Sequence, residues 1–440
     1  MDEVAIGLIG FGTIGSGLIH ILNENKTVIE ARTGFRIKLK RIADLDIESD
    51  RGVIFDKSIL TNDAYKVLKD PDISIVIELI GGYEPARTFI LEAIRNGKSV
   101  VTANKALLAQ HGPEIFENAA NNCVDVAFEA AVAGGIPILR SLREGLIANR
   151  FDKILAILNG TCNFILSEMT ENPGSGFSQA LLKAQQLGYA EADPTLDIEG
   201  IDSAHKLALV LALTHGIRVP IESIHVEGIT KIDAFDLVMA REFSYKIKLL
   251  AIIIRHGNRV EARLHPTMIP ERHPLSKVDG VFNGIFLRGD LVGDQLFYGR
   301  GAGREPTASA VMGDIIELIR SGRSGKAGRV PPLGYPGPLK SSDCILDMNE
   351  VTTNYYIRIQ ANDRPGVLSR IAGIMANHNI SIHSVVQKGR DFSGEGAVAV
   401  VFITHSAKEA DLQKATLEIG NLDVVNCPPA IIRIEDEDLD

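Results

Sequence analysis

A glycine triplet, Gly10-Phe11-Gly12-Thr13-Ile14-Gly15, sits between a short apolar run and a helical pattern, and it restricts the fold more than any other feature. The run Val4 to Ile9 reads as a strand, and a helix follows the glycines through about Asn25. Gly10 permits a tight turn, Gly12 lets the backbone approach a pyrophosphate, and Gly15 lets helix pack closely on strand. The helix start at Thr13 and Ile14 then faces the phosphates. A glycine-rich turn without a ligand is the alternative. Parallel neighbours for this unit follow at Phe35 to Ala43, at the unbroken apolar run Ile73 to Ile77, and at Ser99 to Thr102. A helix from Pro85 to Asn96 separates the last two, and Asn23 to Phe35 reads as an insertion. The pattern predicts a Rossmann-type doubly wound sheet over residues 1–136, completed by a return helix at 305–320.

A chain of 440 residues exceeds what one core usually holds, and the pattern changes twice more. Residues 137–304 read as an α+β substrate and dimerisation unit. It has a strand at Lys153 to Leu158, a long helix from Asp202 to His215, and strands at Lys248 to His256, Arg259 to Thr267 and Phe282 to Phe297, the last turning at Arg288 to Asp290. Residues 321–350 open with Gly, Pro and basic residues lacking an apolar period, which reads as a flexible linker. Residues 351–440 give the order βαββαβ, a small ferredoxin-like domain.

Composition narrows the function. The net charge of -10 argues against a nucleic-acid or anionic-membrane partner. No apolar stretch reaches the roughly 20 residues of a membrane span, and Asp2 and Glu3 stand where a signal peptide would be basic. Cys123, Cys162, Cys344 and Cys427 are too scattered for a zinc site or a disulfide framework. A reduced, cytoplasmic protein is the expectation.

The adenosine ribose of a dinucleotide would meet the end of the second strand, where Asp44 can accept from the ribose hydroxyls of NAD. Lys40 and Arg41 lie close enough to attract the 2′-phosphate of NADP, or simply form a solvated face. Lys105 follows the strand at Ser99 to Thr102, at the carboxyl end of the sheet where ligands bind. Asp202 and Lys206 share one helical face, and the helix around them is apolar. Such a pair must be satisfied by each other or by a ligand; a structural ion pair is the bland alternative. Asn159, Gly160 and Thr161 stand where a strand enters a helix, as an anion site or an ordinary cap.

The segments GFGTIG, VVTANK, EAAVAGGIP, LNGTCNFIL, LGYAEADPTLDIEGIDSAHK and YGRGAGREPTASAVMGDI resemble homoserine dehydrogenase in kind and order over roughly residues 1–320. The resemblance implies NAD(P)-dependent interconversion of L-homoserine and L-aspartate 4-semialdehyde on the route to threonine, isoleucine and methionine. It implies that Lys105 and Lys206 are the site lysines, Lys105 also touching the cofactor. Glu191 and Asp202 would hold the substrate amino group, Tyr189, Gly160 and Thr161 would complete the pocket, and Asp197 would orient a lysine. Glu129 with the carbonyls of Val132, Gly134 and Ile136 matches the family's monovalent-cation site, for Na or K; a capped turn is the alternative. Ala43 departs from the pattern, standing in a slot that often holds a basic residue.

The segments ANDRPGVLSRIAGIM and NISIHSVVQ resemble the ACT domain, an amino-acid-binding module that pairs with a second copy. By that likeness Asp363 and Gly366 lie in a ligand loop facing Ile382 to Val385. An end-product amino acid is the implied effector, threonine first, and a homodimer or homotetramer the implied assembly. Since the catalytic motifs all precede the linker, deletion of residues 345–440 is expected to leave a folded, active enzyme without control. Two other readings compete. Aspartate-semialdehyde dehydrogenase would need a nucleophilic cysteine, for which Cys123 and Cys162 lack the context. A non-catalytic NAD(P) and amino-acid sensor would have no use for buried proton-transfer groups.

Overall fold

The computed structural model describes residues 2–323, 330–388 and 397–436. Its amino-terminal unit alternates β1 (Asp2–Ile9), α1 (Thr13–Glu24), α2 (Lys26–Thr33), β2 (Phe35–Ala43), β3 (Leu60–Thr61), α3 (Tyr65–Leu68), β4 (Ile73–Glu78), α4 (Ala86–Arg95), β5 (Ser99–Thr102), α5 (Lys105–Asn121) and β6 (Val126–Ala127). The sheet runs β3-β2-β1-β4-β5-β6 and every neighbouring pair is parallel. In β4 every residue but Ser74 is buried, which is why that strand reads as an apolar run rather than an alternation. The stretch taken for an insertion is mostly α2, closed by Gly34 in the left-handed region. The strand order reverses between β1 and β4, which opens a crevice at their carboxyl ends.

The central unit comprises α6 (Ile138–Arg140), β7 (Phe151–Ile157), α7 (Gly160–Glu171), α8 (Phe177–Gln186), α9 (Thr195–Ile198), α10 (Ile201–His215), β8 (His225–Val226), α11 (Ala234–Glu242), β9 (Tyr245–His256), β10 (Arg259–Pro270), β11 (Phe282–Gly289) and β12 (Gly293–Arg300). The hairpin turn occupies 290–292, slightly beyond the expected place, because β11 continues through Arg288 and Gly289. Then α12 (Arg304–Arg323) returns to pack on α1 at Gly17, where a Cβ would stand 2.8 Å from the Arg304 carbonyl oxygen. The last unit is β13 (Thr352–Asn362), α13 (Val367–Asn377), β14 (Ile382–Lys388), β15 (Ala397–Thr404), β16 (Ala407–Lys408), α14 (Glu409–Gly420) and β17 (Ala430–Ile434).

The last unit is not a bead on a string. Strand β17 lies between β13, antiparallel, and β10, parallel, so one sheet runs β12-β11-β7-β9-β10-β17-β13-β15-β14 through both units. Buried charges fasten the seam. Arg263 on β10 is 2% exposed and bonds Glu435 at 2.6 Å, while Arg433 on β17 bonds Glu409 at 2.6 Å and Glu227 at 2.9 Å.

The flexible-linker reading of 321–350 needs correction. Residues 321–323 complete α12, residues 324–329 lie outside the described residues, and the rest is strapped onto the central unit. The Lys340 N–H donates to the Gly216 carbonyl at 2.7 Å, the Arg218 N–H to the Lys340 carbonyl at 2.9 Å, and the Leu346 N–H to the Val260 carbonyl at 2.9 Å. Glycine and proline suppress helix and strand periodicity, but they leave other backbone groups free to pair with an exposed edge.

Candidate functional site

The amino-terminal crevice faces the start of α10 across a cleft of about 1260 Å³. On the first wall is the glycine turn. Gly10 has φ +102°, and a Cβ there would stand 2.6 Å from the Leu79 carbonyl carbon. A Cβ on Gly15 would lie 2.3 Å from the Gly10 oxygen, whereas one on Gly12 would meet nothing within 4 Å. Packing therefore demands the outer glycines, and the middle one borders open space. Helix α1 starts at Thr13 with no side chain capping its N–H groups, and Ile14 lines the cleft. An open cradle at an uncapped helix start fits a dinucleotide pyrophosphate.

At the end of β2, Asp44 accepts the Phe11 N–H at 2.5 Å and the Asp46 N–H at 2.9 Å, so it braces the glycine turn directly. Lys40 and Arg41 are committed elsewhere: each bonds Asp70 at 2.8 Å. The cation beside Asp44 is Arg51, whose Nη2 is 4.0 Å from Asp44 and 2.9 Å from Asp46.

The second wall carries the charged cluster. Gly200, with φ +84°, turns the chain into α10, whose first turn presents Asp202. Asp202 lies 3.1 Å from Lys105 Nζ on α5 and accepts from Lys206 Nζ at 2.6 Å. Lys206 also donates to the Leu158 carbonyl at 2.7 Å. Burial opposes ionisation of Asp202, but Lys206 and Lys105 outweigh it and hold the carboxyl well below the usual carboxylate range. Asn159 caps α7 through Cys162 N–H at 2.8 Å, and its amide donates to Asp197 at 2.7 Å and to Asp202 at 3.1 Å. Burial pushes the Asp197 carboxyl up, against that hydrogen bond from Asn159.

The expected residues thus fall into two groups. Lys105, Glu191, Asp197 and Asp202 line the cleft, with Lys206 bonded to Asp202. Gly160, Thr161 and Tyr189 do not line it; Thr161 donates to the Tyr189 carbonyl at 2.6 Å, and this pair joins the cluster through neighbouring Asn159. Sequence reasoning missed Glu78 at the end of β4, which is 1% exposed and borders the cleft. It accepts from Ile80 N–H at 2.8 Å, Gly81 N–H at 3.1 Å and the Thr102 hydroxyl at 2.6 Å. The available signal was an acidic residue closing an apolar strand just before two glycines. The strap residues Leu339 to Ser342, assigned to the linker from sequence, also line the cleft.

The Glu129 carboxylate, assigned to the cation site from the resemblance, caps a helix start. Its two oxygens accept the N–H groups of Leu139 and Arg140, each at 2.8 Å, which caps the start of α6. Among the described residues no group of three or more His, Cys, Asp or Glu side chains is arranged to hold a metal. No helix of the described residues is long and apolar enough to cross a membrane.

Comparison with known proteins agrees with this layout. Residues 10–129 match the family model described as the NAD-binding domain of homoserine dehydrogenase, residues 137–316 that of homoserine dehydrogenase, and residues 355–423 that of the ACT domain. The chain is 45% identical over 435 residues to a homoserine dehydrogenase of Neisseria gonorrhoeae, covering 99% of each. The crystal structure of a homoserine dehydrogenase from Thiobacillus denitrificans superposes with a TM-score of 0.91 at 45% identity, over 99% of both chains. A hyperthermophilic archaeal homoserine dehydrogenase, solved in complex with NADPH, gives a TM-score of 0.62 at 27% identity, over 72% of this chain and 98% of its own. Both walls of the cleft fall within matched segments and the likeness spans nearly the whole length, so the chain belongs to the homoserine dehydrogenase family and carries a C-terminal ACT domain.

Proposed function

We propose that this cleft interconverts L-homoserine and L-aspartate 4-semialdehyde, with Lys105 and Lys206 as its catalytic residues. The observation that carries the proposal is the single carboxylate, Asp202, holding both ammonium groups. The nicotinamide cofactor, when bound, supplies or receives the hydride. What the chain supplies is charge control at the substrate oxygen. Negative charge develops there as the aldehyde is reduced, and one ammonium donates the proton while the other stabilises the charge. Lys206 spends N–H groups on Asp202 and Leu158, which holds it in one orientation. Glu191 and Asp202 receive the substrate amino group, and Asp197 acts through Asn159. Gly160, Thr161 and Tyr189 shape the substrate end. The test is NAD(P)H formation from L-homoserine at alkaline pH; absence of turnover with either cofactor, from folded protein, would refute it.

The finer assignments belong to the same reading. Gly10, Gly12, Thr13, Ile14 and Gly15 hold the pyrophosphate, and Asp44 meets the ribose of NAD. With Lys40 and Arg41 engaged by Asp70, Arg51 is the cation for a 2′-phosphate if NADP binds. A Na or K site at 129–136 would rest on Glu129 and the carbonyls of Val132, Gly134 and Ile136. The ACT domain takes an end-product amino acid, threonine first, at Asp363 to Gly366. Gln387 of β14 reaches Asp363 at 3.3 Å, joining the ligand loop to the opposing strand. The enzyme works in the cytoplasm as a homodimer or homotetramer.

A further inference from the structure

Glu78 is a buried carboxyl group with no partner cation among the described residues. Its hydrogen-bond partners point one way. Two backbone N–H groups donate to it, and the Thr102 hydroxyl, whose oxygen already accepts the Asn104 N–H at 3.0 Å, turns its hydrogen toward it. That environment can hold a carboxylate beneath the cleft, because every hydrogen bond just named lowers the cost of its charge. Burial opposes such a charge and outweighs these hydrogen bonds, pushing the carboxyl up, so the charge calls for a cation to balance it.

The position suggests what that is. A dinucleotide crosses the crevice where the strand order reverses, here between β1 and β4. Asp44 marks the adenosine half over β2, which leaves the nicotinamide half to β4 and β5, where Glu78 and Thr102 end their strands. The oxidised nicotinamide ring is a cation and the reduced ring is neutral. Lys105 lines the same cleft, but Asp202 already engages it at 3.1 Å. We infer that Glu78 is the electrostatic partner of the oxidised nicotinamide ring, so that the protein discriminates the redox state of its cofactor through this residue. The inference rests on the cofactor occupying this cleft.

Equilibrium binding tests it without turnover. The chain has no tryptophan, so calorimetric titration with NAD(P)+, NAD(P)H and ADP-ribose is the suitable measurement. Glu78→Gln should weaken binding of the oxidised form by about tenfold while changing the reduced form by less than about threefold. Glu78→Asp keeps the charge and should preserve the wild-type ratio of the two affinities. Equal weakening of both forms by Glu78→Gln would show that the residue only braces the Ile80–Gly81 turn, and the inference would fail. If the glutamine variant does not fold, wild-type protein decides: ADP-ribose binding as tightly as NAD(P)+ means the ring gains nothing, which overturns it. Wild-type protein that binds none of the three would instead reject the cofactor cleft itself, and this inference with it.

Discussion

Lys206 donates to Asp202 at 2.6 Å from one turn further along the same helix, and both side chains are largely withdrawn from water. Such a pair contributes little net stability, but removing one partner is costly, because the other is left as an uncompensated charge. The geometry therefore holds an ammonium rigidly at the cleft.

Lys206→Ala and Lys105→Ala should each lower kcat by roughly 10² or more, the range of acid–base and oxyanion terms. Glu191→Gln should act mainly on the KM for homoserine. Steady-state kinetics on both substrates would check this; near-wild-type kcat in both lysine variants would return the cluster to a structural role.

Asp44→Ala should raise the KM for NAD by about tenfold, as expected for losing hydrogen bonds to a charged group. Because Asp44 also braces the Phe11 N–H, NADP should weaken too, though less. Arg51→Ala should reverse the bias, weakening NADP more. Equal responses to both cofactors would mean that this corner does not read the ribose.

From sequence, removing residues 345–440 is expected to leave a folded, active enzyme without control. The structure changes that expectation: truncation strips β17 from β10 and takes Glu435 from Arg263, which keeps only Glu261 at 2.9 Å. Uncovering this edge exposes apolar surface and unpaired backbone groups, so the truncated chain should show a lower Tm and poorer solubility. Combining truncation with Arg263→Met should recover part of the loss. A truncated protein as stable as the full chain would show that the seam carries no weight.

The seam should also sense acid. Burial opposes ionisation of Glu227, but His225 and Arg433 prevail and hold its carboxyl at about 2, below its ordinary 4.5. A depressed carboxylate stabilises the fold above its unfolded value, and that stability is lost as pH falls through the folded value. Wild-type protein should therefore lose stability between about pH 4.5 and 2 more steeply than Glu227→Gln, measured by denaturant unfolding. Parallel curves would remove Glu227 from the seam's energetics.

What could be read in the sequence was whatever left a local signature. The glycine triplet between strand and helix fixed the first fold, and the i, i+4 spacing of Asp202 and Lys206 located the cluster. Glu78 escaped because its partners, Thr102 and the Ile80–Gly81 turn, are scattered, with Thr102 on another strand. The junction of the central and last units within one sheet escaped for a similar reason. It rests on two residue pairs, Thr267 with Arg433 and Met268 with Ile434, joining strands separated by the whole ACT unit. Helix α11 also went unread, although Asp233 and Asp236 form a reciprocal cap at its start. The strap at 330–350 was judged by a composition that says nothing about backbone pairing.

Strand β17 also sets an order of events during synthesis. The ribosome releases β10 long before β17, so the stretch of β10 at Thr267 and Met268, beyond its pairing with β8, waits open until the intervening domain has been made. An open edge is a template for pairing with other chains. Completion of the ACT domain thus closes the catalytic sheet, and a nascent chain interrupted in between is expected to present a short sticky edge.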